Sequence, residues 1–279
     1  MMKYNVINID VDYEAMGIEK SPRQTTLTSY ILEEEHIMAT SAKKRPAVIV
    51  CPGGGYACTS PREAEPIALK FCSAGYHSFI LDYSVSPSGW PAPTCELSKA
   101  VAYVRSIADD NNIDKDKVFV CGFSAGGHLA ASIGVHYNHP DIIKFADVDG
   151  VVNKPNGIIL GYPVITGKEE VCHKGSIDTF AAGREEIKPL ASLENYVTGE
   201  TPRMFIWHTC TDAGVPVQNT LLLTNALAEK GVNFELHIYP TGPHGLSLGN
   251  WQTNPDGASL VVPEVQNWID MAIRWIENF

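Results

Sequence analysis

A serine stands between alternating glycines in Gly122-Phe123-Ser124-Ala125-Gly126, the form G-x-S-x-G. A serine hydroxyl attacks an acyl carbon when a neighbouring base takes its proton. It must also be pushed clear of its own backbone, and a sharp strand-to-helix turn does this only if the flanking residues are small. Here the apolar run KVFVCGF (117–123) precedes Ser124, and a small-residue stretch from Ala125 to Ser132 follows it. Strand before and helix after is the context that separates a nucleophile turn from a chance pentapeptide. A helix opening at Ser124 also points its dipole and its first N–H groups at developing negative charge.

Acyl transfer needs donors for the oxyanion as well. Pro52-Gly53-Gly54-Gly55-Tyr56 directly follows the apolar run AVIVC (47–51). A glycine loop lets backbone N–H groups approach a substrate closely, and such donors usually supply the largest single contribution to the reaction. One donor is expected from this loop and one from Ala125, the residue after the nucleophile. The loop lacks the Lys-Ser/Thr of a phosphate-binding loop and the spacing of a dinucleotide fingerprint.

The base and its orienting acid should follow in the chain. His244 lies in Gly242-Pro243-His244-Gly245, just past the run FELHIYP (234–240), and Asp212 lies just past RMFIWHT (203–209). His244 would take the Ser124 proton and return it to the leaving alcohol, while Asp212 would fix the imidazole tautomer and stabilise the imidazolium. Other histidines have quieter expectations. His237 alternates within a strand, His208 ends one as a structural hydrogen-bonder, and His128 sits one turn along the helix as a packed residue. Asp178 lies in the long segment 164–200, away from the strand ends, and is a poor partner for the base.

These residues need a scaffold that brings strand ends together. Strands are expected at 25–37, 47–51, 77–83, 117–123, 157–163, 203–209 and 234–240. Helices are expected over 62–74, from Leu97 to Ala108, after Ser124, over about 217–230 and from about Pro263. In the last helix the expected buried face is Trp268, Ile269, Ala272, Ile273 and Ile276. Strands alternating with helices imply βαβ units, a mostly parallel sheet, and a site at the carboxyl ends of the strands. Residues 164–200 form an unusually long connection, and such loops are usually functional. The expectation is a small cap over the site.

Composition is that of an ordinary globular chain: 279 residues, 44% hydrophobic and 19% charged, with a formal net charge of −11. Such a charge repels a phosphate backbone on average, so nucleic acid is not an expected partner. No stretch approaches the ~18 apolar residues of a membrane span. The start, MMKYNVINIDVDYEAMG, shows no apolar leader core. Seven cysteines show no CxxC or metal-ligand spacing. Together these lead us to expect a cytoplasmic protein without membrane attachment or metal.

The blocks CPGGGY (51–56), LDYSVSP with WPAP (81–93), CGFSAGGHLA (121–130), GYPVIT (161–166), HTCTDAGVPV (208–217) and ELHIYPTGPHGL (235–246) resemble the α/β-hydrolase superfamily. Within it, the chain resembles bacterial esterases related to acetyl-xylan and other carbohydrate acetylesterases. The likeness runs over roughly residues 45 to 279. It departs from many relatives at Pro52, where they carry His, and at Ser84-Val85-Ser86-Pro87, where they carry an Arg and an Ala. The resemblance implies a single α/β-hydrolase domain over 1–279 with a mostly parallel sheet. It implies Ser124, Asp212 and His244 as the catalytic triad, with Gly54, Gly55 and Ala125 as oxyanion donors. It also implies hydrolysis of short acyl esters without a cofactor, an acetylated sugar being among the candidate substrates. Tyr56, Trp90 and His173 are the candidate substrate contacts. The alternatives are a peptidase of the same fold, and a small-molecule binding protein on this scaffold; an intact Ser, Asp and His argues against the second.

Overall fold

A strand that is apolar at every position needs cover on both faces, and this chain supplies such strands repeatedly. The computed structural model describes residues 2–33, 44–254 and 258–279. Its strands are β1 (Met2–Asn8), β2 (Thr26–Leu32), β3 (Arg45–Cys51), β4 (His77–Asp82), β5 (Ile113–Phe123), β6 (Gly157–Gly161), β7 (Arg203–Thr209) and β8 (Phe234–Tyr239). They form one sheet in the order β1-β2-β4-β3-β5-β6-β7-β8. β2 runs antiparallel to both neighbours, and β3 to β8 are parallel to one another, as is β4 to β3. The helices are α1 (Tyr13–Met16), α2 (Glu65–Ser73), α3 (Ala92–Ser106), α4 (Ser124–His136), α5 (Pro140–Ala146), α6 (Lys174–Ala181), α7 (Gln218–Glu229) and α8 (Trp268–Glu277).

The period-2 alternation divides the core into two layers. In β3, Ala47, Ile49 and Cys51 join one layer, while Val48 and Val50 join the other. In β5, Val118 and Val120 face the first layer, and Phe119, Cys121 and Phe123 face the second. α3, α4 and α7 cover the first face through Leu97, Leu129, Ile133 and Leu223, whereas α2 and α8 cover the second through Ile67, Phe71, Trp268 and Ile276.

Strand order also locates the functional end. After β3 the chain moves outward to β4, then returns past β3 to β5. Connections therefore leave β3 and β5 in opposite directions, and a crevice opens where they part. The register places Cys51 beside Gly122, Phe123 beside Gly161, Gly161 beside Trp207, and Thr209 beside Tyr239. One rim thus carries the loops holding the glycine triplet, Ser124, Asp212 and His244.

Most expected elements are present, with α1 and α5 added where no helix was expected and α8 starting at Trp268 after a 3-10 turn at Pro263–Val265. β1 was not expected; it is an edge strand whose Met2, Tyr4 and Val6 are exposed, so its alternation does not announce a buried face. The expected strand 25–37 ends at Leu32, and its last residues, 34–37, lie outside the described residues. In α8 the buried face also includes Trp275, which packs against Phe119 and Phe205 beside the expected Trp268, while Ile273 is only half-buried. Segment 164–200 carries α6 and 3-10 turns at Glu185–Ala191 and Leu193–Tyr196. Among the described residues, no helix is long and apolar enough to cross a membrane.

Candidate active site

Ser124 opens α4 directly after β5, with φ at +53°. That left-handed conformation is costly for a residue with a Cβ, and the neighbouring glycines explain how the turn closes at all. A Cβ on Gly126 would stand 2.1 Å from the Cys51 carbonyl oxygen and 2.3 Å from that of Pro52. A Cβ on Gly122 would stand 2.2 Å from the Gly126 oxygen. The G-x-S-x-G spacing is therefore a steric requirement of β5 and α4 meeting the end of β3. Ser124 is left 7% exposed.

His244 Nε2 lies 2.8 Å from Ser124 Oγ, and His244 Nδ1 lies 2.7 Å from Asp212 Oδ2. The other carboxyl oxygen, Oδ1, accepts the backbone N–H groups of Gly214 and Val215, each at 2.9 Å. Burial opposes the charge on Asp212, but hydrogen bonds from His208 and His244, with the Val215 amide, outweigh it. They hold the carboxyl well below the usual carboxylate range. An ionised carboxylate only accepts, so His244 Nδ1 carries the proton and Nε2 faces the Ser124 hydroxyl as an acceptor. This is the tautomer a general base requires.

His208 supports that arrangement from below. Its Nε2 lies 2.9 Å from the Val215 carbonyl oxygen and 3.4 Å from Asp212 Oδ2, and its Nδ1 lies 2.8 Å from Thr220 Oγ1. A carbonyl only accepts, so Nε2–H is the donor and the Thr220 hydroxyl donates to Nδ1. His208 was expected to be a structural hydrogen-bonder, and its place is beneath Asp212.

The glycine loop passes against Ser124. A Cβ on Gly53 would meet Ser124 Cβ at 3.0 Å. The Gly53 N–H is taken by Glu63 Oε2 at 2.8 Å. Gly54 has φ +132° and Gly55 +66°, and a Cβ on Gly54 would collide with the Cys58 carbonyl at 2.2 Å. Tyr83 donates its hydroxyl to the Pro52 carbonyl at 2.6 Å and steadies the loop from the β4 side. Ala125 occupies the first turn of α4, where backbone N–H groups have no intrahelical acceptor.

The three candidate substrate contacts fall in different places. His173 caps α6: its Nδ1 accepts the Ser176 N–H at 3.2 Å, so its proton sits on Nε2. Its Cε1 comes within 3.9 Å of a Cβ built on Gly55, which puts the α6 end of segment 164–200 beside the glycine loop. Burial, then the neighbouring His244, lowers the His173 pKa. Tyr56 and Trp90 do not present a face to a ligand. Tyr56 is 2% exposed and donates its hydroxyl to His128 Nδ1 at 2.9 Å, since His128 Nε2–H is committed to the Ala191 carbonyl at 3.0 Å. Trp90 is 1% exposed and packs edge-on against His136 and His139 and beside Phe180. Trp90 was a candidate substrate contact, and packing under α6 buries it.

Glu63, Tyr162 and Arg62 are the neighbours that sequence reasoning missed. Tyr162 donates to Glu63 Oε1 at 2.6 Å, and its ring meets the His244 ring edge-on at 5.1 Å. Arg62 donates to the Gly245 carbonyl at 3.1 Å. For Arg62 and Glu63 the sequence offered only a pair of ionisable residues before α2, a pattern that ordinarily marks a solvated helix start; Tyr162 lay in the GYPVIT block without a role of its own. Among the described residues no cluster of three or more His, Cys, Asp or Glu side chains could hold a metal ion.

The mostly parallel sheet, the Ser124 turn at a switch point, and acid and histidine on later strand ends define the class: an α/β hydrolase. The BD-FAE family model matches residues 36–227, and the chain belongs to that family. It is 38% identical over 218 residues to endo-1,4-beta-xylanase B of Butyrivibrio fibrisolvens, covering 74% of this chain and 33% of that protein. It is 29% identical over 231 residues to an acetylxylan esterase of Xylanibacter ruminicola, covering 80% of this chain and 45% of that one. The chain thus spans less than half the length of either relative. Among solved structures it is similar to an acetyl ester-xyloside bifunctional hydrolase from Caldicellulosiruptor lactoaceticus, with TM-score 0.79, 34% identity, and 98% and 96% of the two chains covered. The carboxylesterase Cest-2923 from Lactobacillus plantarum WCFS1 superposes with TM-score 0.84 at 26% identity, covering 100% of this chain and 97% of that one.

Proposed function

We propose that the protein is a serine esterase that removes short acyl groups, acetyl foremost, from alcohols, with acetylated sugars as the favoured substrate class. The observation that carries this reading is the unbroken chain from Ser124 Oγ through His244 to Asp212, at 2.8 and 2.7 Å, on the same rim as the glycine loop. His244 Nε2 takes the Ser124 proton as Oγ attacks the acyl carbon. The N–H groups of Gly54, Gly55 and Ala125 receive the oxyanion as it forms. The imidazolium, steadied by Asp212, returns its proton to the departing alcohol and leaves an acyl-Ser124 ester. Water, deprotonated by His244, then releases the acid and restores the serine.

Segment 164–200 acts as the cap, with His173 directing its Nε2–H at the bound substrate. Support for a sugar alcohol comes from the relatives, whose names are an acetylxylan esterase and an acetyl ester-xyloside hydrolase.

The test is p-nitrophenyl acetate hydrolysis by the wild type beside Ser124→Ala and Asp212→Ala, followed by acetate release from acetylated xylo-oligosaccharides. Loss of Ser124 is expected to lower turnover by about 10⁴–10⁶. Equal rates for wild type and Ser124→Ala would defeat the serine mechanism. Aryl-ester activity without acetate release from the sugars would defeat the sugar assignment alone.

A further inference from the structure

Glu63 is 3% exposed and stands at the end of a single 3-10 turn, Pro61–Glu63, between the glycine loop and α2. Both of its carboxyl oxygens are engaged: Oε2 accepts the Gly53 N–H at 2.8 Å, and Oε1 accepts the Tyr162 hydroxyl at 2.6 Å. Each bond leads to a different part of the site. Gly53 begins the glycine triplet and lies against Ser124. Tyr162 lies against the His244 ring, and its hydroxyl accepts the Ser247 N–H at 2.8 Å, three residues past His244.

The same short turn holds the histidine loop by three further bonds. Arg62 donates to the carbonyls of Gly245 and Thr253 at 3.1 and 2.9 Å, and Ser247 Oγ donates to the Arg62 carbonyl at 2.6 Å. The turn therefore ties the loop after β3 to the loop after β8, which come from opposite sides of the Ser124 strand.

We infer that Glu63 is a positioning residue that sets the glycine loop and His244 in register about Ser124. The inference rests on the serine-esterase reading. Donors to an oxyanion act only if they already point where the charge will form, and a misplacement of about 1 Å can cost on the order of 10²-fold in rate. Glu63 touches no reacting atom. Its side chain fixes the Gly53 peptide, and with it the peptides of Gly54 and Gly55 that follow. A small acyl ester in its ground state makes little use of those donors, so the effect belongs in kcat rather than KM.

The experiment compares kcat and KM for p-nitrophenyl acetate in wild type, Glu63→Ala, Glu63→Gln and Tyr162→Phe, each checked for folding by circular dichroism and thermal midpoint. Glu63→Ala is expected to lose about 100-fold in kcat, with KM within about threefold, the size of one lost oxyanion donor. Glu63→Gln keeps a side-chain oxygen for the Gly53 N–H and is expected to recover to within about tenfold of wild type. Tyr162→Phe is expected to lose about tenfold in kcat. If Glu63→Ala does not fold, Glu63→Asp takes its place; it keeps the carboxyl but withdraws it by one methylene, and the same fall in kcat is expected.

Wild-type kcat in a folded Ala or Asp variant overturns the inference. So does a Gln variant as impaired as Ala, or a loss carried by KM alone. A wild type that does not turn over the ester defeats the esterase reading instead, so the two failures are distinguishable.

Discussion

Ser124→Gly should give a protein that is catalytically dead yet more stable than Ser124→Ala, an inversion of the usual order of glycine and alanine. Both variants lose the Ser124–His244 hydrogen bond, worth about 0.5–1.5 kcal/mol, so that loss cancels between them. They differ in the backbone. Ser124 holds φ at +53°, where a residue with a Cβ pays about 1–2 kcal/mol and glycine almost nothing. Against that relief, glycine gives the unfolded chain extra freedom worth about 0.4–1 kcal/mol. The difference favours glycine by about 0.5–1 kcal/mol. Ala226, half-buried within α7, supplies the ordinary case; there Ala226→Gly should cost about 1 kcal/mol. The assay is urea unfolding followed by far-UV circular dichroism, compared at equal m. If Ser124→Gly is less stable than Ser124→Ala by the ordinary margin, the nucleophile turn carries no backbone strain and the account of it given above is wrong.

Gly126→Ala is expected to destabilise by more than about 2 kcal/mol and to abolish turnover, because the added methyl would stand 2.1 Å from a backbone oxygen that no side-chain motion can clear; a folded, active Gly126→Ala would refute the steric account of the motif. A third expectation concerns acid. Unfolded histidine titrates near 6.5, while burial, despite the bonds His128 and His136 donate to the Ala191 and Leu190 carbonyls, holds both down to about 4. Between those values the unfolded chain binds more protons, so stability falls as pH drops through that window. From pH 7 to 5 each histidine should cost about 2 kcal/mol. His136→Gln should lose about 2 kcal/mol less over that interval, read by urea unfolding at both pH values; an unchanged pH slope would show that His136 does not stay neutral in the fold.

What was legible in the sequence was whatever leaves a local trace. β3, β5, β6 and β7 are buried on both faces, so their apolar runs stand out, and Ser124 and Asp212 sit within a few residues of such a run's end, while His244 follows the half-buried β8 and was legible from its Gly-Pro-His-Gly turn. The G-x-S-x-G glycines were legible because their constraint is steric and comes from residues close in the chain or on the next strand. Glu63 was not, for the opposite reason: its partners are Gly53 and Tyr162, the second lying 99 residues away, and nothing beside it says that water is excluded there. Trp90 shows the same limit from the other side, since its burial depends on α6, a helix from a distant segment. Two of the contacts that hold segment 164–200 to α4 are hydrogen bonds from His128 and His136 to the carbonyls of Ala191 and Leu190. Every residue has a carbonyl, so such acceptors leave no mark on sequence. The alignment of Ser124, His244 and Asp212 could therefore be read from one chain, whereas the parts that fix its geometry come from tertiary pairings that only the fold reveals. That division predicts where substitutions will surprise: at Glu63, whose side chain looks like solvent and behaves like core.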